Sequence, residues 1–234
     1  MSRRAKTART TAALRRAYQL MRTRHGHQHW WPGDTPFEIC VGAILTQNTA
    51  WKNVERAIAS LKTAGVLEPR QLFALPEREL ARLLRPAGYF NVKARRLRAF
   101  LKVLVDEFDA DLDRLFAGST LAVRERLLAI NGIGPETADS MLLYAGNHHS
   151  FVIDAYTKRI FARHHWCADN ATYHELQALC AGVLDHQPAA QRLDYWQDYH
   201  AQLVMVGKDY CRPREPRCET CPLRELLPVG KAPK

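Results

Sequence analysis

A glycine-rich break between two helical runs constrains the fold of this chain more than any other feature. The break reads Asn131-Gly132-Ile133-Gly134, and Pro135 follows it. Two glycines in three residues allow a tight turn, and proline suits the first position of a helix because its φ is preset and it lacks a donor. The segment therefore predicts two helices joined by a hairpin whose amides suit a phosphate oxygen. On the two glycines alone, an ordinary corner between helices is the better explanation.

The remaining sequence has helical spacing and no strand pattern. We find no run of period-two alternation bounded by hairpin turns, so the sequence predicts an all-α fold. No stretch reaches the roughly 18 apolar residues that a membrane span requires, and we expect no membrane partner. Helices are expected over about 11–24, 36–61 with a polar break at 46–49, 67–83, 91–108, 111–116, 120–130, from 135 onward, over 155–163 and twice within 172–206.

The distribution of charge favours a polyanionic partner. The chain of 234 residues has a formal net charge of +10. Its first 24 residues hold eight basic residues and no acid, and the segment 85–98 holds five basic residues and no acid. Basicity alone is a weak indication, since many proteins are basic without binding nucleic acid. Six cysteines, three of them clustered near the C-terminus, and the lack of an apolar secretory core favour a reducing, cytoplasmic compartment.

Asp154 is the carboxylate with the most distinctive surroundings. It lies twenty residues after Gly134, at the end of the apolar run Phe151-Val152-Ile153, and the helical segment AYTKRIFAR follows it. Aspartate at the start of a helix commonly caps the backbone amides. A partly buried carboxylate can also stabilise a positive charge that develops on a sugar, or position a water molecule. One residue can fill both roles.

Three tryptophans flank the polar break at residues 46–49. Trp30 and Trp31 precede it and Trp51 follows it. Such residues usually pack into a core, and they can also form the walls of a site for a flat ligand. The nearby segment His25-Gly26-His27-Gln28-His29 has no adjacent carboxylate or cysteine, which favours a solvated turn over a metal site.

The hairpin, Asp154 and the basic helix after it together resemble the helix-hairpin-helix DNA glycosylases of the endonuclease III superfamily. In that family the hairpin runs close to LPGVGRKTA, and the downstream aspartate stands in a V-D-T-H-like segment. The likeness extends from about Phe37 to Cys221. It implies two all-α lobes: a six-helix barrel over 36–146 that contains the hairpin, and a lobe of 1–35 with 147–234 that carries a cysteine loop at 211–221.

The resemblance implies a role for each candidate residue, with Asp154 as the catalytic carboxylate. Gln47 matches the family's glutamine that fills the hole left by a flipped base. Tyr89 takes the place of a residue that wedges into the opposite strand, or else it anchors its loop on the barrel. The segments WWPG and TQNTAW resemble the 3-methyladenine branch, in which aromatic residues sandwich the base; cation–π attraction suits an alkylated purine. The implied set comprises Trp30, Trp31, Trp51 and Glu136 for the base pocket, and Gln47, Asn48, Tyr89, Asn91, Lys93, Gly132, Ile133 and Gly134 for DNA.

One position departs from the family pattern and bears on the expected reaction. Glu136 stands where bifunctional members carry their Schiff-base lysine, and a carboxylate cannot form an imine. Neither Lys158 nor Lys208 occupies that position. The resemblance therefore implies a monomeric, monofunctional glycosylase that removes a flipped, alkylated purine from double-stranded DNA. Two alternatives stay open: an endonuclease III-like glycosylase and AP lyase acting on oxidised pyrimidines, and a non-enzymatic helix-hairpin-helix DNA-binding module.

The cysteine loop matches the family's metal motif at three positions of four. Endonuclease III-like proteins hold a [4Fe–4S] cluster with the spacing C-x6-C-x2-C-x5-C. Cys211, Cys218 and Cys221 fit that spacing, and the fourth ligand position is Leu227. Three alternatives stay open: an incomplete or labile cluster, a metal-free loop, and a zinc site with three cysteines and one histidine. The basic segment 212–217 around the loop is expected to contact phosphate.

Overall fold

The computed structural model describes residues 3–30, 33–184 and 187–228. Every regular element within those ranges is a helix and none is a strand, so the all-α prediction is confirmed. The chain divides into two compact units, one formed by Met1–Trp31 with Phe151–Lys234 and the other by Pro32–Ser150. The predicted barrel over 36–146 lies inside the second unit, whose ends extend four residues beyond it on each side.

The described residues form twelve α-helices and three short 3₁₀ turns. The turns are at Arg85–Ala87, Cys218–Thr220 and Arg224–Leu226. The helices are α1 (Arg3–His25), α2 (Pro36–Leu45), α3 (Trp51–Thr63), α4 (Pro69–Ala74), α5 (Glu77–Leu83), α6 (Phe90–Asp106), α7 (Leu112–Phe116), α8 (Thr120–Leu128), α9 (Pro135–Tyr144), α10 (Ala155–Arg163), α11 (Tyr173–Leu184) and α12 (Ala189–Asp209).

Helix α2 is the core of the unit Pro32–Ser150. Thr35 caps it, with its hydroxyl accepting a hydrogen bond from the Glu38 amide at 3.1 Å, and Pro36 begins it. All residues from Phe37 to Leu45 are buried, which is typical of a helix enclosed on every side by protein. Helix α2 contacts α3, α6 and α9, so the hairpin that precedes α9 rests on this core.

Several helix boundaries differ from the sequence-based expectation, and three differences matter most. The helix expected over 67–83 is two helices, α4 and α5, because Pro76 keeps the preceding Leu75 extended at ψ 139°. Helix α6 begins at Phe90, with Tyr89 as its cap, one residue earlier than expected. Helix α1 begins at Arg3 rather than near residue 11. The predicted six-helix barrel contains eight α-helices of the described residues, two of them no longer than six residues.

The N-terminal helix α1 belongs to the same unit as the C-terminal helices because buried polar groups join them. The Tyr18 hydroxyl donates to the buried Asp198 carboxylate at 2.7 Å, and it accepts from Arg22 at 2.7 Å. The Tyr199 hydroxyl donates to the Leu14 carbonyl at 2.7 Å. These bonds satisfy polar groups inside an aromatic cluster, where an unpaired group would be costly. None of the helices in the described ranges is long and apolar enough to cross a membrane.

Candidate active site

The predicted hairpin is present between α8 and α9. Gly132 has a φ of +89°, a conformation that favours glycine. A Cβ atom added at Gly132 would lie 2.3 Å from Cγ of Arg96, so the close approach of this side chain also requires glycine. Gly134 has an ordinary φ of −93° and open space where its Cβ would be. The two glycines therefore differ: only the first is required by both backbone and packing.

Ile133 anchors the hairpin from inside. Its side chain is buried, and its amide donates to the carbonyl of Ile130 at 3.0 Å. Its side chain is therefore an internal anchor of the hairpin, and the DNA contact predicted for Ile133 stays a prediction. The roles predicted for Gly132 and Gly134 stay predictions.

The side chain of Gln47 braces the hairpin. Its Nε2 donates to the carbonyl of Gly132 and to the hydroxyl of Thr137, both at 3.0 Å, and its Oε1 accepts from the Arg96 guanidinium. The role of Gln47 in filling the hole left by a flipped base stays a prediction. In that role the side-chain amide of Gln47 has to break some of these hydrogen bonds. The neighbouring Asn48 is exposed and has a φ of +55°.

Tyr89 projects from the loop between α5 and α6. It is 72% exposed, and its backbone is left-handed at φ 44° and ψ 31°, after Gly88 at φ 67°. A bulky residue in this conformation is unusual and costs free energy. Because the ring is not packed, the alternative in which Tyr89 anchors its loop on the barrel is wrong. The wedge role stays a prediction, as does a DNA contact by the exposed Asn91.

Lys93 does not present its charge to a DNA backbone. Its side chain is buried, and its ammonium Nζ donates to the carbonyl of Ala87 at 2.7 Å. Burial, with a smaller contribution from the positive charge of Arg96, lowers the pKa of Lys93 to about 8. The predicted DNA contact is therefore wrong: this lysine closes the 3₁₀ turn Arg85–Ala87 from inside.

Asp154 is both a helix cap and a buried carboxylate. Its Oδ1 accepts from the Thr157 amide at 2.7 Å, which caps α10. Its Oδ2 lies 3.6 Å from Nε2 of His200, and 12% of the buried side chain is exposed. Burial acts to raise the pKa of Asp154, but His200 and the bonds from Thr157 outweigh it, and the pKa lies below its usual value. The carboxylate is consequently ionised at neutral pH.

The position of the family lysine presents a carboxylate on the protein surface. Glu136 is exposed in the first turn of α9, where an acid is favourable near the helix N-terminus. Lys158 on α10 and Lys208 on α12 are exposed, and the Lys158 ammonium lies 5.7 Å from the centre of the Tyr173 ring. Neither of these two lysines is therefore a buried amine.

The predicted aromatic walls are described only in part. Trp30 and Trp51 are half-buried, each in its own unit, and Trp31 lies outside the described residues. A base sandwich stays a prediction for all three. The nearby histidines have protein partners, because His25 Nδ1 lies 3.1 Å from Gln202 Oε1 and His27 Nε2 lies 3.0 Å from Asp194 Oδ2.

The cysteine loop supplies an incomplete ligand set. All three thiols are free, and together with Leu227 they line one cavity of about 20 Å³. Nowhere in the described ranges do three or more His, Cys, Asp or Glu side chains form a group that could hold a metal. The residues present do not fit a [4Fe–4S] cluster with four protein ligands.

The electrostatics of the loop follow from burial and from one arginine. Burial raises the pKa of Cys221 to about 11, and the guanidinium of Arg163 donates to Sγ of Cys211 at 3.3 Å. His164, at the end of α10, lines the same cavity and lies 3.2 Å from the Leu226 carbonyl through Nδ1. Sequence spacing could not find His164, because it precedes the first of the cysteines by 47 residues.

Sequence reasoning also missed Arg96 and His200. In the sequence Arg96 is one of several basic residues in the segment 85–98, whereas in the structure it packs against Gly132 and donates to Gln47. His200 carries a weak signal in the sequence. It falls at helical spacing with the buried Trp196 and Leu203, and a histidine on an apolar face needs a polar partner.

Comparisons with known proteins agree with these features. The family model "HhH-GPD superfamily base excision DNA repair protein" matches residues 41–185. A Methanocaldococcus jannaschii protein named "Putative DNA repair glycosylase MJ1434" is 42% identical over 214 residues, which are 89% of this chain and 93% of that protein.

Among solved structures, the H. pylori 3-methyladenine DNA glycosylase MagIII bound to 1,N6-ethenoadenine is 26% identical, with a TM-score of 0.74 over 85% of this chain and 97% of that one. A non-covalent endonuclease III–DNA complex has a TM-score of 0.77 at 20% identity, over 93% and 94% of the two chains, a likeness of fold alone.

The chain belongs to the HhH-GPD superfamily of base excision DNA repair proteins. It is a DNA glycosylase with the fold of endonuclease III, and its partner is DNA. This membership favours an enzyme over the alternative of a non-enzymatic DNA-binding module.

Proposed function

We propose that this enzyme is a monofunctional glycosylase that hydrolyses the N-glycosidic bond of alkylated purines of the 3-methyladenine type. The observation that carries the proposal is a pair of residues: Asp154 is a buried, ionised carboxylate, and Glu136 replaces the lysine of bifunctional relatives. A carboxylate can stabilise a cationic sugar, but it cannot form the imine that a lyase requires. The product would be an abasic site in an intact strand.

The proposed reaction uses Asp154 as an electrostatic group. The electron pair of the N-glycosidic bond leaves with the base, so a cationic alkylated purine departs as a neutral molecule and positive charge develops at C1′. The Asp154 carboxylate stabilises that charge, and water then adds to C1′ and loses its proton to solvent. A pKa below the usual value makes this carboxylate a weak base, which favours charge stabilisation over proton abstraction.

Alkylated purines are the proposed substrates for two reasons. Their positive charge makes them good leaving groups, and indole rings such as those of Trp30 and Trp51 attract flat cations by cation–π interaction. The likeness to a 3-methyladenine glycosylase structure at 26% identity supports the same choice. The proposal includes a flipped base, a monomeric enzyme and a cytoplasmic, nucleoid-associated location.

The decisive experiment measures base release from methylated duplex DNA, with a borohydride-trapping reaction beside it. We expect the wild type to release 3-methyladenine and to form no trapped adduct, and Asp154→Asn to release almost none. Asparagine is as good a helix cap as aspartate, so this variant should fold. A trapped adduct would mean that an amine acts as nucleophile, which would favour the glycosylase and AP lyase alternative; oxidised pyrimidines are then the next substrate to test.

We further propose that the cysteine loop acts without a complete [4Fe–4S] cluster. Leu227 occupies the fourth ligand position and lines the same small cavity as the three thiols. No step of the proposed reaction involves a metal. The exposed Arg214 and Arg217 of the loop would contact the DNA backbone in either case.

A further inference from the structure

We infer that His200 is a positioning residue for Asp154. It holds the second carboxylate oxygen in place and counters the cost of burying the charge. The inference rests on the proposed function, because it assumes that the Asp154 carboxylate acts on the sugar. It concerns a residue that contacts neither substrate nor DNA in the proposed reaction.

The two oxygens of the Asp154 carboxylate face different groups. The Thr157 amide, 2.7 Å away, holds Oδ1, and this bond belongs to the cap of α10. The other oxygen, Oδ2, faces a group outside α10. Nε2 of His200 on α12 is 3.6 Å from Oδ2, a distance at which a protonated imidazole forms an ion pair. Rotation of the carboxylate about its terminal bond is therefore limited from two sides.

Close packing of α10 on α12 fixes the distance between the two residues. A Cβ atom at Gly207 would lie 2.4 Å from the Tyr156 ring, so the helices approach as nearly as a glycine allows. The Arg159 side chain ties α10 to the end of α12 by donating to the carbonyls of Gly207, at 3.0 Å, and of Cys211, at 2.6 Å. An imidazole carried by α12 consequently has a defined position relative to the cap of α10.

The imidazole itself has little freedom. His200 is buried, and its ring meets the Phe151 ring edge to face, with centroids 6.2 Å apart and planes at 89°. Phe151 is fully buried at the start of the segment that leads to Asp154. The apolar run before the aspartate thus orients the histidine, and the histidine in turn orients the aspartate.

The test is a double-mutant cycle between positions 154 and 200. Single-turnover rates of base release are measured at saturating enzyme, separately from the affinity for DNA. We expect His200→Ala to lower the rate by up to about 100-fold with unchanged affinity, since a small displacement of a reacting group has effects of this size. In the Asp154→Asn background the same substitution should cost almost nothing, because the carboxylate it positions is gone.

A conservative variant separates positioning from folding. His200→Gln keeps a polar donor of similar length, and we expect it to recover part of the rate that His200→Ala loses. His25→Ala is the control, because it removes another imidazole that contacts α12, through Gln202. It should alter stability without altering the rate. If His200→Ala is folded and cleaves at the wild-type rate, or loses rate equally in both backgrounds, the inference is overturned.

A readout that needs no substrate distinguishes this inference from the proposed function. The pKa of Asp154 can be followed by carbon NMR of the carboxyl group in the wild type and in His200→Gln. We expect it to rise in the variant, because burial still opposes the charge and the imidazole no longer counters it. An unchanged pKa would overturn the inference. Failure of methylated DNA as a substrate, with the pKa shift present, would instead count against the proposed function alone.

Discussion

Among the residues that the structure describes, Asp111 and Asp154 both cap helices, and their surroundings differ. Asp111 accepts from the amides of Asp113 and Arg114, at 2.8 and 3.2 Å, much as Asp154 accepts from its own helix. The Asp111 side chain is 42% exposed, and its second oxygen lies 3.4 Å from the exposed Arg114. The second oxygen of Asp154 instead faces a buried histidine. The two aspartates cap their helices in the same way. They differ in the residues that pack around the second carboxylate oxygen, and these residues determine its electrostatic surroundings.

The largest expected effect tests this pair of aspartates directly. Asp154→Asn should lower the rate of base release by about 100-fold to 1,000-fold, the usual loss when a group that stabilises transition-state charge is removed. Asp111→Asn is the matched control, since it makes the same change at a cap with an exposed partner. Its rate should equal that of the wild type. Equal losses in the two variants would show that capping, and not the buried charge, matters for activity.

The two hairpin glycines offer a second pair of like residues in different surroundings. Gly132→Ala should destabilise the protein by about 1–3 kcal/mol, because the backbone is left-handed and the new methyl group overlaps Arg96. Gly134→Ala should leave the melting temperature nearly unchanged, since its Cβ would meet nothing within 4 Å. Thermal unfolding measures both. A Gly132→Ala protein as stable as Gly134→Ala would contradict the packing described for Arg96.

Lysines 93 and 158 form the third comparison, one buried and one exposed. The pKa of Lys93 is about 8 in the fold and returns to its usual value near 10.5 on unfolding. Between these values the unfolded chain binds more protons, so the free energy of unfolding should rise with pH from about 8 to about 10.5. Urea unfolding across this window measures the slope. Lys93→Met should reduce it and Lys158→Met should not; an equal slope in all three proteins would mean that Lys93 is not buried as described.

The smallest effect on activity is expected at the cysteine loop. Leu227→Cys completes the spacing C-x6-C-x2-C-x5-C, and after anaerobic reconstitution it should bind iron and sulfide in the ratio of a [4Fe–4S] cluster. The wild type should retain far less, and base release should be similar in both. Leu226→Cys is the control, because it adds a thiol one residue away from the required position. Full cluster occupancy in the wild type would overturn the proposal for this loop.

The helices and the hairpin could be predicted from the sequence because their causes are local. Glycine and proline act on the backbone within a few residues, and apolar spacing marks the buried face of a helix. The exceptions also have local causes, such as the break between α4 and α5, where Pro76 keeps Leu75 extended. Predictions for single side chains were less dependable: Lys93 and Ile133 lie in recognisable motifs, yet both are turned inward.

The sequence by itself predicted an all-α fold, which the described residues confirm, and a glycine-rich hairpin between two helices. It also showed that Glu136 and Leu227 stand where the family pattern has a lysine and a cysteine. Only the tertiary structure decided that Gln47 braces the hairpin, that Tyr89 is exposed, and that His200 faces Asp154. The physical reason is the separation along the chain over which each kind of interaction acts. Backbone preferences act between neighbours in the chain, whereas the burial and charge around a carboxylate depend on residues that packing brings together from 46 positions away.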